Sequence, residues 1–365
     1  MKIPFLKPNI SGQDIKELQK SIKTGWLVTG EYTKKFERNF ADYLGAKDAV
    51  LVSSDTAAMH LALILAGVKE GDEVITTPMS WVATSNIVLY QKARPVFVDV
   101  DPLTGIIDEN KIEEKITDKT KAILIVHLYG QMVDMRKLKE ISEKYKIPVI
   151  EDCAHSVESA RDGIRPGELG FAACFSFHAA KNITSGQGGA YVTNNQADAD
   201  KIRLLRRDGV INKDGKRIML ELGYKYDLTD FQAALLLGQL KKIKQSHKKR
   251  LKVISNYKKL CEEAGLDYVK SLPNSVHAGH MFLIKVSPDK RDFLRGKMAE
   301  AGIDTSIHYP PIHLEPFYRK TFGYKEGDFP NAEKFGASVI TLPTYPSLTL
   351  KEQKYIFSVI NKSLK

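Results

Sequence analysis

The first half of the chain alternates short runs of β-favouring apolar residues with stretches of helical period, and this alternation leaves few architectures open. Strands are expected at Ala49–Ser53, Glu73–Thr76, Pro95–Val100, Ala122–His127, Pro148–Asp152 and Ala173–His178. Helical patterns at Thr56–Leu65, Trp81–Gln91 and Met135–Tyr145 lie between them. Strands separated by helices form βαβ units and a mainly parallel sheet. The strand runs are almost continuously apolar, as both-face burial requires. After a strand at Gly189–Thr193 and a further helical stretch, a loop is expected around Asp208–Gly215. A long helix follows from about Leu228 to Lys244, with a possible continuation toward Glu263.

The pattern changes from about His247 onward. A strand near Met281–Val286, a helix near Arg291–Ala301 and a final helix after Ser347 read as a smaller α+β unit. The expected organisation is a large α/β domain over 1–246 and a small C-terminal α+β domain over 247–365, with no internal repeat or low-complexity linker.

Composition narrows the function classes. With 43% hydrophobic and 27% charged residues the chain has the balance of a globular protein. No run reaches the roughly 18 apolar residues that a bilayer span needs, and the start has no signal-like stretch, so a soluble cytoplasmic protein is expected. The three cysteines, Cys153, Cys174 and Cys261, form no CxxC pair, which points to reduced thiols and to no metal site. The net charge of +11 raises nucleic acid as a partner, and the densest basic stretch is Leu240–Lys252, LKKIKQSHKKRLK. Its apolar residues recur at helical spacing and no aromatics interleave, so it reads as a solvated helix face and not a nucleic-acid surface.

Three segments sit where a parallel sheet places its ligands, beyond the carboxyl ends of strands. In VSSDTAAM (52–59) a strand runs into a helix through small residues, which leaves amides free for a phosphate, although Ser54 and Thr56 also suit helix capping. In VIEDCAH (149–155) a buried strand delivers Asp152, which could hold a protonated ring nitrogen or serve as a structural ion pair. In FSFHAAKNITSGQGG (175–189), Lys181 follows a strand among Phe, Ala, Ile and Gly. Desolvation there lowers an amine's pKa and makes it nucleophilic toward aldehydes. Together the three supply a lysine, a ring-nitrogen partner and an anion cradle, the set that pyridoxal 5'-phosphate (PLP) needs.

These segments, together with GWLVTGEYTKKFE, ITTPMSWVATSN, GYKYDLTDFQAALLLGQLKK, HYPPIHLEPFY and FPNAEKFGASVITLPTYPSLT, resemble the sugar-nucleotide (DegT/StrS-type) aminotransferases from about residue 3 to 360. Within that family the chain is most similar to enzymes that aminate carbon four of a keto-sugar nucleotide, particularly the UDP-4-amino-4-deoxy-L-arabinose type. The resemblance implies a fold-type-I PLP aminotransferase. Lys181 would be the Schiff-base residue and proton shuttle, Asp152 the partner of the pyridine nitrogen, and His155 a neighbour of the phenolic oxygen. Trp81 would stack on the ring, and Thr56, the Ala57 backbone and Ser176 would hold the phosphate. Lys225 would reach across a homodimer into the neighbouring active site, and Trp26, His308, Tyr309 and His313 would face the substrate.

The implied reaction is ping-pong, with L-glutamate as donor, 2-oxoglutarate as its product and a nucleotide-linked keto-sugar as acceptor. The FSFH form of the lysine motif points to carbon four, with carbon three as the alternative. Departures from the family pattern are Gln187 for a usual glutamate, Asp55 for a usual small residue, and Lys225 and Asp227 in a segment that often carries other residues. Sugar-dehydrating relatives replace the lysine by His, so Lys181 disfavours that branch. A family member without turnover, acting as a regulatory or binding protein, is the reading from another class. A nicotinamide enzyme is disfavoured because the glycines of GQGG precede a strand and form no GxGxxG.

Overall fold

A computed structural model describes residues 1–364. Helices α1 (Gly12–Lys23) and α2 (Glu31–Leu44) precede the first strand, β1 (Asp48–Val52). The chain then alternates α3 (Asp55–Leu65), β2 (Glu73–Thr76), α4 (Ala83–Tyr90), β3 (Arg94–Phe97), β4 (Thr120–Val126), α5 (Met135–Tyr145) and β5 (Val149–Asp152). A two-residue strand β6 (Ala160–Arg161) is followed by β7 (Ala172–Ser176) and β8 (Gly189–Thr193). Seven of these strands form one sheet in the order β1-β8-β7-β5-β4-β2-β3. β2, β3, β4, β5 and β7 pair in parallel, and β8 runs antiparallel to both of its neighbours. The expected α/β class is thus the observed one.

Both faces of this sheet are covered. Val50, Val74, Leu124 and Ile150 pack under α3, while Ile75, Ile123 and Ile125 pack on the opposite side with α5 residues Leu138 and Ile141. The six expected sheet strands occur within a few residues of their predicted limits. Helix α4 begins later than expected, at Ala83, so Trp81 stands in the preceding turn with 63% of its surface exposed.

After α6 (Gln196–Leu205) the expected loop is a hairpin, β9 (Val210–Lys213) with β10 (Lys216–Met219). Asp214 and Gly215 at its tip both take positive φ, 52° and 72°, the pattern of a two-residue Asp-Gly turn. The flanking strands are largely exposed and rich in Lys and Arg, so no apolar alternation announces them. The long helix expected from Leu228 is two helices, α7 (Asp230–Lys241) and α8 (Ile243–Ala264). They break at Lys242, whose ammonium is drawn to Asp14 of α1 and to the Asn9 carbonyl.

Beyond α8 lie β11 (Asp267–Tyr268), β12 (Ser275–Val276), β13 (Phe282–Lys285), α9 (Pro288–Glu300), α10 (Pro316–Phe322), α11 (Pro330–Ser338), β14 (Val339–Leu342) and α12 (Leu350–Leu364). A three-stranded sheet, β11-β13-β14, packs with α8, α9 and α12 around Tyr257, Phe282, Leu294 and Phe357. Residue 246, where the sequence pattern divides the chain, lies inside α8. Ile3 joins this C-terminal core, with its N–H donating to the Gly302 carbonyl at 2.8 Å. β12 pairs with β6, which ties the C-terminal region to the loop that follows β5.

One contact fixes the start of α3 against the sheet. A Cβ on Gly189, the first residue of β8, would lie 2.3 Å from the Ser54 carbonyl carbon and 2.4 Å from the Asp55 nitrogen. Neither neighbour is a flexible side chain, so the turn or the strand must move to admit one. Gly189→Ala is expected to cost roughly 1–3 kcal/mol, read as a lower denaturation midpoint with an unchanged slope. A fully stable variant would show that the approach is not tight.

Candidate functional site

The carboxyl ends of β1, β5 and β7 open into a cleft of about 540 Å³. The outer walls come from the N-terminal Phe5 and Leu6 and from Ser306, His308, Tyr309 and Thr344 of the C-terminal half.

Asp152, the last residue of β5, is buried at the floor. Its Oδ1 accepts the Ala154 N–H at 3.1 Å and its Oδ2 accepts the Thr84 hydroxyl at 3.0 Å. Burial raises its pKa, while the Ala154 amide, Lys181 and Thr84 pull the other way. Lys181 lies in the loop after β7, partly open to the cleft, and its backbone N–H donates to the His178 carbonyl at 2.9 Å. Desolvation lowers the pKa of its amine, countered by Asp152 and Asp55. The pair is therefore a buried acid and a desolvated amine that restrain one another.

His155 is held between Tyr129 and Tyr309. The Tyr129 backbone N–H donates to Nδ1 at 3.4 Å, and the Tyr309 hydroxyl lies 3.3 Å from Nε2. Burial drives its pKa well below the ordinary value, so the ring is neutral. A neutral imidazole that accepts at Nδ1 carries its proton on Nε2. His155 therefore presents a donor.

Helix α3 supplies the anion end. The first intrahelical bond runs from the Ala58 N–H to the Ser54 carbonyl at 3.1 Å, and the Ala57 N–H is taken by Ser54 Oγ at 3.1 Å. The Ala57 backbone is thus a capped amide and does not line the cleft, contrary to the sequence expectation. The Asp55 and Thr56 amides precede the helical hydrogen bonds and are the ones that a phosphate would meet. Thr56 and Ser176 both line the cleft.

Trp81 and Tyr309 face the cleft with ring centroids 6.4 Å apart, and His308 is fixed by Thr341 Oγ1 at 2.9 Å from its Nδ1. Besides Ala57, three expected substrate or cofactor residues do not reach this chain's own cleft. His313 is fully buried behind it, 3.0 Å from Glu333 and packed on Phe329, so the expectation that it faces substrate is corrected: its imidazole ties the 312–314 turn to α11. Lys225 pairs with Asp227 at 2.8 Å on an exposed surface. Trp26 is also exposed, its indole N–H donating to the Thr29 carbonyl at 3.1 Å.

The structure adds residues that spacing alone did not single out. His280 packs against His155 with ring centroids 4.6 Å apart. Its Nδ1 lies 3.1 Å from Asn182 Oδ1, and Asn182 Nδ2 donates to Glu158 at 2.6 Å and to the Ala278 carbonyl at 2.9 Å. Asn182 uses its amide hydrogens on those two acceptors, so its oxygen receives the His280 Nδ1–H. The position of Asn182 directly after Lys181 was the available hint. A third buried group, His127, Glu151 and Cys153, has metal-ligand residue types. Glu151 there already accepts the Gly167 and Gly170 amides and lies 2.8 Å from His127, whose Nδ1 accepts the Val133 N–H. This set is a hydrogen-bonded network beneath the site.

The comparisons with known proteins agree with this geometry. The DegT/DnrJ/EryC1/StrS aminotransferase family profile matches residues 8–361. The chain belongs to that family. It is 37% identical to the spore coat polysaccharide biosynthesis protein SpsC of Bacillus subtilis over 362 residues, covering 95% of this chain and 93% of the relative. It superposes on the Helicobacter pylori aminotransferase PseC, involved in the biosynthesis of pseudoaminic acid, with a TM-score of 0.94 at 28% identity, covering 100% of this chain and 99% of that one. The Streptococcus pneumoniae protein Spr1654, solved in a PLP-form, gives 0.95 at 28% identity, covering 100% and 98%. The chain is an aminotransferase of the PLP-dependent class, and its fold is theirs.

PLP suits the residues present. Gly189 leaves room for α3 to press its free amides toward the cleft, Asp152 offers a carboxylate held by two donors, and Lys181 is a desolvated amine.

Glu158 gives the site a stability signature. Burial pushes its pKa up to about 7, against the Asn182 hydrogen bond and Arg250. A carboxyl raised on folding stabilises the fold below its unfolded pKa, and that contribution is lost as pH rises toward 7. Glu158→Gln is expected to gain roughly 2–4 kcal/mol relative to wild type between pH 5 and pH 8, measured by urea denaturation at both values. A constant difference across that window would contradict the shift.

Proposed function

We propose that this enzyme moves an amino group from L-glutamate to a keto-sugar carried on a nucleotide, at carbon four, working as a cytoplasmic homodimer with shared active sites. The observation that carries the reading is the convergence of Lys181, Asp152, His155 and the free amides of α3 in one cleft. The biosynthetic roles in the names of SpsC and PseC support an amino-sugar product. The choice of carbon four rests on the FSFH segment, Phe175–His178.

PLP, when bound, supplies an electron sink that acidifies the hydrogen on the amino-bearing carbon. The chain's own residues do the rest. Asp152, steadied by Ala154 and Thr84, would hold the proton on the ring nitrogen. His155 Nε2–H would donate to the phenolic oxygen, and Trp81 would cover the ring. The Asp55 and Thr56 amides, with the Thr56 and Ser176 hydroxyls, would hold the phosphate. Lys181 would anchor the cofactor and then, released as a free amine, take and return the migrating proton. Its lowered pKa favours the neutral form that this shuttle needs.

On the substrate side, His308 and Tyr309 would bound the sugar. Lys181 is the sole lysine or arginine among the described residues lining the cleft of one chain. A nucleotide diphosphate needs positive charge at the mouth, so Lys225 of a second copy is the natural source, with Trp26 of that copy as an aromatic wall, consistent with their exposure here. The intact Lys181, Asp152 and Ser176 weigh against a binding protein without turnover.

The test is the absorption spectrum of the protein with PLP. A yellow form that bleaches with L-glutamate and returns with a nucleotide-linked 4-keto-sugar is the expected result, and Lys181→Ala should show no such form. A wild type that never turns yellow would overturn the proposal, and recovery only with a 3-keto-sugar would move the amination to carbon three.

A further inference from the structure

Helix α3 opens with a residue whose side chain none of the roles above requires. Asp55 stands at the point where the phosphate would bind. It is 8% exposed, and its Oδ1 is sealed from solvent without a hydrogen-bond partner among the described residues. Gly189 packs closely on the backbone at its amide, which fixes the helix start. Asp152 lines the same cleft and is the charged group that bears on Asp55 most strongly.

The groups facing it are few. Asp152 comes from β5 and Lys181 from the loop after β7. The Cys174 thiol of β7 and the Cys153 thiol after β5 are nearby, and burial keeps both protonated. Two neighbouring carboxyls in a site of low dielectric do not both ionise. The charge belongs on Asp152, which has the Ala154 amide and the Thr84 hydroxyl as donors. Asp55 has burial and the Asp152 charge against ionisation, which push its carboxyl well above the usual range, with only Lys181 opposing. A proton between the two also supplies the hydrogen bond that the buried Asp55 carboxyl otherwise lacks.

We propose that Asp55 is a positioning residue that carries a proton against Asp152, so that the pair shows one negative charge to the cofactor's ring nitrogen and none to its phosphate. The proposal rests on the PLP reading above and refines it. A neutral Asp55 orients Asp152 and leaves the start of α3 attractive to an anion. Once Asp55 ionises at alkaline pH, a second negative charge faces the phosphate and the site weakens. An ordinary small residue at this position has no such transition.

The test uses full-length apo-protein and pyridoxamine 5'-phosphate, which has no aldehyde and so forms no bond with Lys181. Its affinity is measured by fluorescence from pH 6 to pH 10 for wild type, Asp55→Asn and Asp55→Ala. Wild type should lose at least tenfold more affinity across this range than either variant, with Asp55→Asn within about threefold of wild type at pH 7. Parallel pH profiles, or a tenfold weaker Asp55→Asn at pH 7, would overturn the proposal. The melting temperature of the apo-protein supplies a readout independent of any ligand. A carboxyl raised on folding costs stability as pH rises, so Asp55→Asn should melt a few degrees higher than wild type at pH 8, with the gap closing by pH 4. A variant that melts lower throughout would make Asp55 a plain structural residue. Failure of wild type to bind pyridoxamine 5'-phosphate would defeat the cofactor reading, while the melting comparison would still decide the protonation of Asp55.

Discussion

Asp152 is a carboxylate at the end of a strand buried on both faces, and the site is arranged around the problem that it poses. A buried charge is tolerated only when paired or hydrogen-bonded. Asp152 meets that condition with a backbone amide, the Thr84 hydroxyl and the Lys181 amine. The same burial that makes the acid costly lowers the pKa of the lysine, so one feature of the sheet creates both the ring partner and the nucleophile. The crossover helices exist to cover the faces of β4, β5 and β2, and this cover is what removes water from the strand ends.

The histidines around this pair are also governed by burial. His155 and His280 are both held neutral, and each is fixed at Nδ1 by an ordered partner of opposite polarity. The Tyr129 amide donates to one ring, and the Asn182 oxygen accepts from the other. Two neighbouring imidazoles thus have opposite hydrogen-bonding faces, set by groups that never enter the cleft. Such fixing of a ring by a distant partner is how a site keeps its geometry without a charge.

Much of this was legible in the sequence because the relevant signals are local. A parallel-sheet strand is an unbroken apolar run, and Asp152 and Lys181 stand out as the charged residues at the ends of two such runs. The missed parts are those in which the decisive partner lies far along the chain. His280 and Glu158 acquire meaning only through Asn182, which brings them together across 98 and 24 residues. Helix α1 went unread although Ser11 and Asp14 form a capping box, because its burial depends on α7. The β9-β10 hairpin carries a clear Asp-Gly turn but no apolar face, and turn chemistry without patterning was too weak to prompt a strand. His313 shows the opposite error: a histidine beside a substrate-like motif was read as facing the ligand, when its partner Glu333 draws it into the interior.

The account stands or falls on Lys181 as the residue that holds the cofactor. Borohydride reduction of the PLP-loaded protein, followed by proteolysis and mass spectrometry, locates that bond directly. A pyridoxyl mass on the peptide containing Lys181, absent when the loaded protein is first converted with L-glutamate, is the predicted result. A label on a different lysine, or none on a protein that retains PLP, would contradict the assignment of the cleft.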